Sequence, residues 1–356
     1  MAFRDRSMVP HRSALAKNEW KTTRFSNTIS RSDDLPVLQE KLIAYGGEWV
    51  TAWIDGGAER LNSSETCLET IILFRKHALK YDHPTLKMIR EFVALGRAQF
   101  DRPATPTGVA DAQTQIVRGM TIVDEDGNTV PIDGGLAALL APCAPFFDNG
   151  VLEALANGVT QIVNIGAGYD DRSIRFRQPG ATYFEADFPE VITDKRSRIT
   201  LLAPNENALK YVPIDLHQES IEEALRTAGH DDSKPTLFIC EHVMLFLDEV
   251  ANRKLLTETS RIAAPGSAIL FTAETHPSGM PTDAVVTEVD RVMFGSSQVI
   301  RFVRSFEGWR TVLSECGWRV DESRGFAIDH FFVPDSMPGL QIQTAFMTAA
   351  LAHESA

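Results

Sequence analysis

Two stretches decide the fold: Gln161-Ile-Val-Asn-Ile-Gly-Ala-Gly-Tyr-Asp170 and Tyr183-Phe-Glu-Ala-Asp-Phe-Pro-Glu190. The first reads as a buried strand running into a tight Gly-x-Gly turn, the second as another strand ending in an acid. A glycine turn at a strand end lets a ligand approach the backbone closely, and an acid ending the next strand accepts hydrogen bonds from ribose hydroxyls. Asp187 lies 19 positions beyond Gly168, near the spacing of about 20 that this geometry requires. The pair points to an adenine nucleoside as ligand. The alternative reading is a plain βα turn with a solvated acidic helix start.

The glycine pattern narrows the ligand. A dinucleotide site carries a third glycine three positions after the second, for close packing beneath a pyrophosphate. Asp171 stands there, and an acid repels a pyrophosphate. A cofactor without phosphates and with a positive charge, such as S-adenosylmethionine, suits Asp170 and Asp171 better.

Outward from this point, residues after 150 alternate between strand and helix. Strands are expected at 161–165, 182–186, 209–214, 236–240 and 268–273, with helices at 189–201, 220–228 and 248–263. Such alternation implies a parallel sheet covered on both faces. A helix at 309–316, a strand at 318–322 and an apolar strand at 343–351 complete the chain. The expected class is α/β: a doubly wound, mostly parallel, seven-stranded sheet with helices on both faces. Ligands of such sheets bind beyond the carboxyl ends of the strands, at the switch point. Gly166 and Gly168, Asp187, Asp215 and Glu241 all fall at carboxyl ends.

The region before residue 146 is expected to be mainly helical, giving two parts: 1–145 as a lid, substrate or oligomerisation region, and 146–356 as the cofactor-binding domain. Residues 35–54, 64–80 and 83–99 carry apolar side chains at helical spacing. Residues 101–107, with Pro103 and Pro106, read as a connector, and 124–128 as a turn between short strands at 120–123 and 129–132. Residues 1–34 are polar and basic and read as a mobile arm.

Composition bounds the rest. In 356 residues, 23% charged and 44% hydrophobic side chains describe an ordinary globular protein. The net charge of −13 argues against nucleic acid as an electrostatic partner. Neither a signal-peptide core nor a run of about 18 apolar residues is visible, so no membrane association is expected. Cys67, Cys143, Cys240 and Cys316 form neither a zinc spacing nor a disulfide framework, which suggests reduced thiols in the cytoplasm and no metal.

The motifs together resemble the leucine carboxyl methyltransferase family over residues 143–350. That family reads Gly-Ala-Gly-x-Asp with arginine soon after, as in Gly166-Ala-Gly-Tyr-Asp170 with Arg172 and Arg175. Its next segment resembles Phe184-Glu-Ala-Asp-Phe-Pro189 followed by Lys195. Asp215-Leu216, Glu241 with the apolar run behind it, Phe294-Gly295 and Gly317-Trp318 also match. The resemblance implies S-adenosyl-L-methionine as cofactor and methyl transfer to oxygen, usually of a carboxylate. It implies that Gly166 and Gly168 approach the cofactor's amino-acid part, Asp187 binds the ribose, Asp215 and Leu216 the adenine, and Glu241 the ammonium. One departure stands out. The family carries arginine upstream of a Phe-Asp pair, to meet the cofactor carboxylate, whereas Cys143 and Pro145 precede Phe147-Asp148 here. Arg118 or Arg102 are replacements to test.

A carboxylate acceptor is ionised at neutral pH and needs no general base, so positioning dominates its methylation. A phenol or alcohol needs a base, for which His242 and His276 are candidates; their plainer reading is as solvent-facing loop histidines. Arginine binds carboxylates bidentately, which makes Arg301 and Arg304 the candidate acceptor contacts, against the reading of a basic stripe on a solvated face. Trp20, Trp49, Trp53 and Phe74 are candidates for apolar walls, or ordinary core. The departure at Cys143 favours a small organic acid of microbial biosynthesis as acceptor. The alternatives are the C-terminal leucine of a protein, a phenol or alcohol, and a non-catalytic cofactor-binding scaffold. A helical N-terminal region of this size is also compatible with a homodimer.

Overall fold

A computed structural model describes residues 84–99, 102–122, 129, 143–202, 208–294, 298–321, 326–329, 340 and 342–352. The arm at 1–34, the helices expected at 35–54 and 64–80, Cys67, Trp20, Trp49, Trp53 and Phe74 lie outside the described residues.

The core strands are short apolar runs bounded by turn residues. They are β1 (Gln161–Ile165), β2 (Thr182–Asp187), β3 (Leu209–Pro213), β4 (Thr236–Cys240) and β5 (Ala268–His276). Every residue of β1 and β4 is buried, as expected of a central parallel strand covered on both faces. The main sheet path is β3-β2-β1-β4-β5-β9-β7, where β7 is Trp318–Val320 and β9 is Gln343–Leu351. The first five strands run parallel, while β9 is antiparallel to both β5 and β7. The expected seven-stranded, doubly wound path is therefore present, and two short strands extend it to nine. They are β6 (Arg304–Ser305) on β5 and β8 (Phe326–Asp329) on β9. The chain leaves β1 toward β2 and β3, then returns to β4 on β1's other side, so the switch point lies between β1 and β4.

Strand side chains alternate between the two faces. Val163, Phe184, Phe238 and Phe271 enter one core with Trp309 and Trp318. Ile162, Tyr183, Ile239 and Leu270 enter the other with Phe147 and Val151. Both buried indoles find acceptors, Trp309 Nε1–H on the Glu274 carbonyl (3.0 Å) and Trp318 Nε1–H on that of Leu256 (2.8 Å).

The helices in chain order are α1 (Pro84–Arg97), α2 (Ala112–Ile116), α3 (Cys143–Ala156), α4 (Arg172–Arg175), α5 (Pro189–Ile199), α6 (Ile221–Thr227), α7 (Glu249–Arg261), α8 (Thr282–Phe294) and α9 (Phe306–Glu315). The expected division at 145/146 falls inside α3, whose Cys143, Phe147, Val151 and Leu155 pack on the sheet together with Ala94 of α1 and Ile116 of α2. Residues 120–122 form no strand, although one was expected at 120–123. Gly119 turns the chain at φ +73°, and Met120 packs into the core as irregular backbone. Helices α2, α3, α4 and α8 were not anticipated. Among the described residues, no helix is long and apolar enough to cross a membrane.

Asp248 caps α7, accepting from the Ala251 N–H at 2.8 Å. Asp248→Ala is expected to cost about 1 kcal/mol of stability, read as a shifted urea midpoint with unchanged slope.

Candidate functional site

At the carboxyl edge of the sheet the backbone turns sharply after β1. Gly166 and Gly168 adopt φ of +67° and +45°, where glycine alone is unstrained. The N–H groups of Gly166 and Ala167 donate to the Ala186 carbonyl (2.8 and 3.0 Å), pinning the turn to the end of β2. A Cβ on Gly166 would sit 2.4 Å from Val243 Cγ2, so the turn is closely covered.

This turn is one wall of a cleft of about 860 Å³ including its mouth. Asp187 ends β2 and Phe188 follows it, Ile214 and Leu216 follow β3, and Glu241, His242 and Val243 follow β4; all of them line it. Helix α1 forms the opposite wall with Ile89, Arg90, Val93 and Arg97. Of the residues singled out in the sequence, Gly166, Gly168, Asp187, Leu216, Glu241 and His242 meet here. Asp215 does not line the cleft: its carboxylate accepts from the His217 N–H (3.0 Å) and the Gln218 side chain (2.7 Å), closing a turn.

The arginines and the second histidine lie elsewhere. Arg301 is exposed, its Nε donating to the Gln298 carbonyl at 3.2 Å. Arg304 pairs with Glu249 and stacks on the Phe302 ring, its guanidinium carbon 4.9 Å from the centroid. Neither lines the cleft. His276, ending β5, is buried away from it; its Nδ1 donates to the Pro277 carbonyl (2.8 Å), and its Nε2 has no partner among the described residues.

Behind the glycine turn lies a buried ionic network. Asp148 of α3 accepts from Arg172 Nε (2.7 Å) and Arg175 Nη2 (2.9 Å). Asp171 accepts from Arg175 Nε (2.9 Å) and Arg102 Nη2 (2.7 Å). Asp170 pairs with Arg172, whose Nη1 also reaches Glu241 Oε2 at 2.7 Å. Arg97 closes the cluster on Glu241. Four guanidinium groups balance four carboxylates. Asp170 and Asp171 are thus committed inward to arginine, which corrects the expectation that their charge faces a cofactor. Lys195 is likewise structural: its Nζ meets Glu185 at 2.8 Å, both fully buried.

Burial pushes the Glu241 carboxyl up, but the adjacent Arg97 and Arg172 outweigh it and hold it down at about 2. A depressed native value contributes stability that is present above the unfolded value of about 4.3 and is lost as pH falls toward 2. The melting temperature of the wild type is therefore expected to exceed that of Glu241→Gln near neutrality. The gap should narrow as pH drops from about 4.3 to about 2. A constant gap across this window would contradict the assignment.

Glu241 and His242 also approach Cys143. The Cys143 thiol lies 3.3 Å from His242 Nε2, and donor atoms of all three residues fall within 4.8 Å of one another. No spacing in the sequence announced this cluster. The two guanidinium groups already on Glu241 oppose the addition of a cation there. His242 itself holds φ +52°, a conformation costly for a residue with a Cβ, and its N–H donates to Thr272 Oγ1 at 2.8 Å.

Sequence reasoning missed Arg90 and Arg97. Arg90 Nη2 and Nε reach Asp187 at 2.8 and 3.2 Å. Both arginines sit on a helix that was expected, but a helical pattern does not say what its polar face meets. Of the proposed replacements for the departing arginine, Arg118 is exposed, and Arg102 holds Asp171 and Gln113 and does not line the cleft. Arg97 lines the cleft instead, its buried Nε without a partner among the described residues.

Residues 112–260 match the leucine carboxyl methyltransferase family. A candidate S-adenosyl-L-methionine-dependent methyltransferase of Mycobacterium ulcerans is 30% identical over 210 residues, covering 58% of this chain and 60% of that protein. One of Mycolicibacterium gilvum is 36% identical over 164 residues, covering 45% of this chain and 52% of that protein. The chain thus spans between about half and three fifths of the length of these relatives. Among solved structures, a candidate methyltransferase of Bacillus halodurans aligns with a TM-score of 0.42 at 11% identity, covering 57% of this chain and 97% of that one.

Proposed function

We propose that this chain, whose residues 112–260 match the leucine carboxyl methyltransferase family, is an S-adenosylmethionine-dependent O-methyltransferase acting on the carboxylate of a small organic acid. The observation that carries this reading is the convergence of the glycine turn, Asp187 and Glu241 on one cleft. The residues present fit the cofactor. Gly166 and Gly168 carry no side chain where its amino-acid part would approach, Asp187 would accept from ribose hydroxyls once Arg90 leaves it, and Leu216 and Phe188 offer apolar walls for adenine. Glu241 is already paired with Arg97 and Arg172, so its expected role at the ammonium is not carried over, whereas the Arg97 Nε, without a partner among the described residues, suits a carboxylate.

Mechanism follows from what these groups do. When bound, the cofactor supplies an electrophilic methyl on a sulfonium. The chain's task is then to hold the two reactants in line, which contributes roughly 7–11 kcal/mol when well arranged. Val93, Val243 and Phe246 give the cleft apolar walls that would help to exclude water around the reacting groups. An ionised carboxylate requires no proton acceptor. A hydroxyl acceptor is the second reading, favoured by one observation: His242, not His276, lines the cleft. Its imidazole would take the hydroxyl proton. Among the described residues Cys143, Cys240 and Cys316 are buried and in no disulfide, which fits a reducing, cytoplasmic setting.

The test is calorimetric titration with S-adenosylmethionine, followed by incubation with a panel of carboxylic acids and phenols and mass detection of products. Base-labile methylation of acids is expected. Methylation of phenols alone, abolished in His242→Ala, would transfer the reading to the hydroxyl acceptor. Absence of cofactor binding would overturn both.

A further inference from the structure

The acid read as the ribose ligand is already occupied. Asp187 Oδ1 accepts from the Phe188 N–H (2.7 Å) and Arg90 Nη2 (2.8 Å). Its Oδ2 accepts from the Gly168 N–H (2.7 Å) and Arg90 Nε (3.2 Å). A carboxylate offers about four lone-pair sites, and all four are filled from within the protein. A ribose hydroxyl therefore has nothing to donate to until one of these donors leaves. The two backbone donors belong to the glycine turn and to the residue that follows β2 and cannot move without rebuilding either, which leaves the Arg90 side chain.

Arg90 also covers the turn sterically. Its Cγ lies 3.5 Å from where a Cβ on Gly168 would stand, so the aliphatic stem lies over the bare backbone that a ligand has to approach. Its guanidinium rests 5.3 Å from the centroid of the Phe188 ring, a wall of the same cleft. Seven residues on, two turns along one face of α1, Arg97 holds Glu241. Both arms of one helix thus engage acids of two different strand ends. The outer arm is the more exposed: the Arg90 side chain is 19% exposed and that of Arg97 8%.

Resting on the reading of the cleft as a nucleoside cofactor site, we propose that α1 is an autoinhibitory latch in which Arg90 competes with the cofactor ribose for Asp187. Binding requires the Arg90 fork to open, and the apparent affinity is reduced by the fraction of molecules in which it is closed. Arg97 anchors the helix while the outer arm is released.

Arg90→Met keeps the aliphatic stem and removes the fork, while Arg90→Lys keeps a charge without bidentate geometry. Titration of the full-length wild type and both variants with S-adenosylmethionine tests the latch. Arg90→Met is expected to bind roughly tenfold more tightly than wild type, with Arg90→Lys between them. Added salt screens a partly exposed ion pair, so raising salt should tighten binding to the wild type and leave Arg90→Met unaffected. Equal or weaker binding by Arg90→Met, with wild-type binding intact, would overturn the latch alone and make Arg90 a bystander or a cofactor ligand. A failure of all three proteins to bind would overturn the cofactor reading and the latch with it.

Discussion

Asp148→Ala is expected to be the most destabilising single change at the candidate site, costing about 3–5 kcal/mol. Asp148 is fully buried and accepts from two guanidinium groups that are themselves 0–1% exposed, Arg172 and Arg175. Burial alone would raise its pKa, yet Arg175 and Arg172 hold it below the usual carboxylate range, so it is charged in the native state. Removing it strands positive charge in a region closed to bulk solvent, and that uncompensated burial is what costs stability. Replacement of the whole network by apolar residues would be a different experiment, because an intact buried ion cluster is not itself strongly stabilising. Asp148→Asn, which retains one acceptor, should lose less. Urea unfolding of both variants provides the measurement. A loss below about 1 kcal/mol for Asp148→Ala would show that water or neighbouring acids take over its role.

The second large effect is on ligand affinity. Asp187→Ala is expected to weaken S-adenosylmethionine binding roughly 10- to 100-fold, the range for losing hydrogen bonds to a charged acceptor. It also withdraws the acceptor for the Gly168 and Phe188 N–H groups, so the turn itself should loosen. Asp187→Asn separates the two contributions: an amide oxygen retains part of the turn but carries no charge. Calorimetry gives the affinities and thermal melts report the turn. Unchanged affinity in Asp187→Ala would remove Asp187 from the site. By contrast, Asp215→Ala should alter affinity little, because that carboxylate closes its own turn.

The edge of the site was legible because its signals are local. Gly166-Ala-Gly168 after an apolar strand, Asp187 ending the next, and Glu241 ending the fourth each declare themselves within a few residues. Parallel strands necessarily bring those ends to one edge. Strands β1, β4 and β9 were placed at their observed bounds, since a short apolar run between turn residues has few other ways to bury itself. Helix α1 was legible as a helix for the same reason.

What the sequence did not reveal is who pairs with whom. Arg90 meets Asp187 across 97 positions, and Cys143 meets His242 across 99. Neither spacing has a periodic signature. An arginine on a helix looks alike whether it faces water or a buried acid; only the packing of α1 over the carboxyl edge makes Arg90 a cover for the glycine turn and Arg97 part of the network. The same packing turned Asp170 and Asp171 inward and left Arg301 and Arg304 outside the cleft. It also set His242 in the cleft and His276 away from it. Hydrophobic periodicity is written into contiguous residues, and it determined the sheet and its functional edge. Charge pairing depends on the distances that folding creates, so the tertiary structure alone decided which charges line the cleft and which neutralise one another behind it.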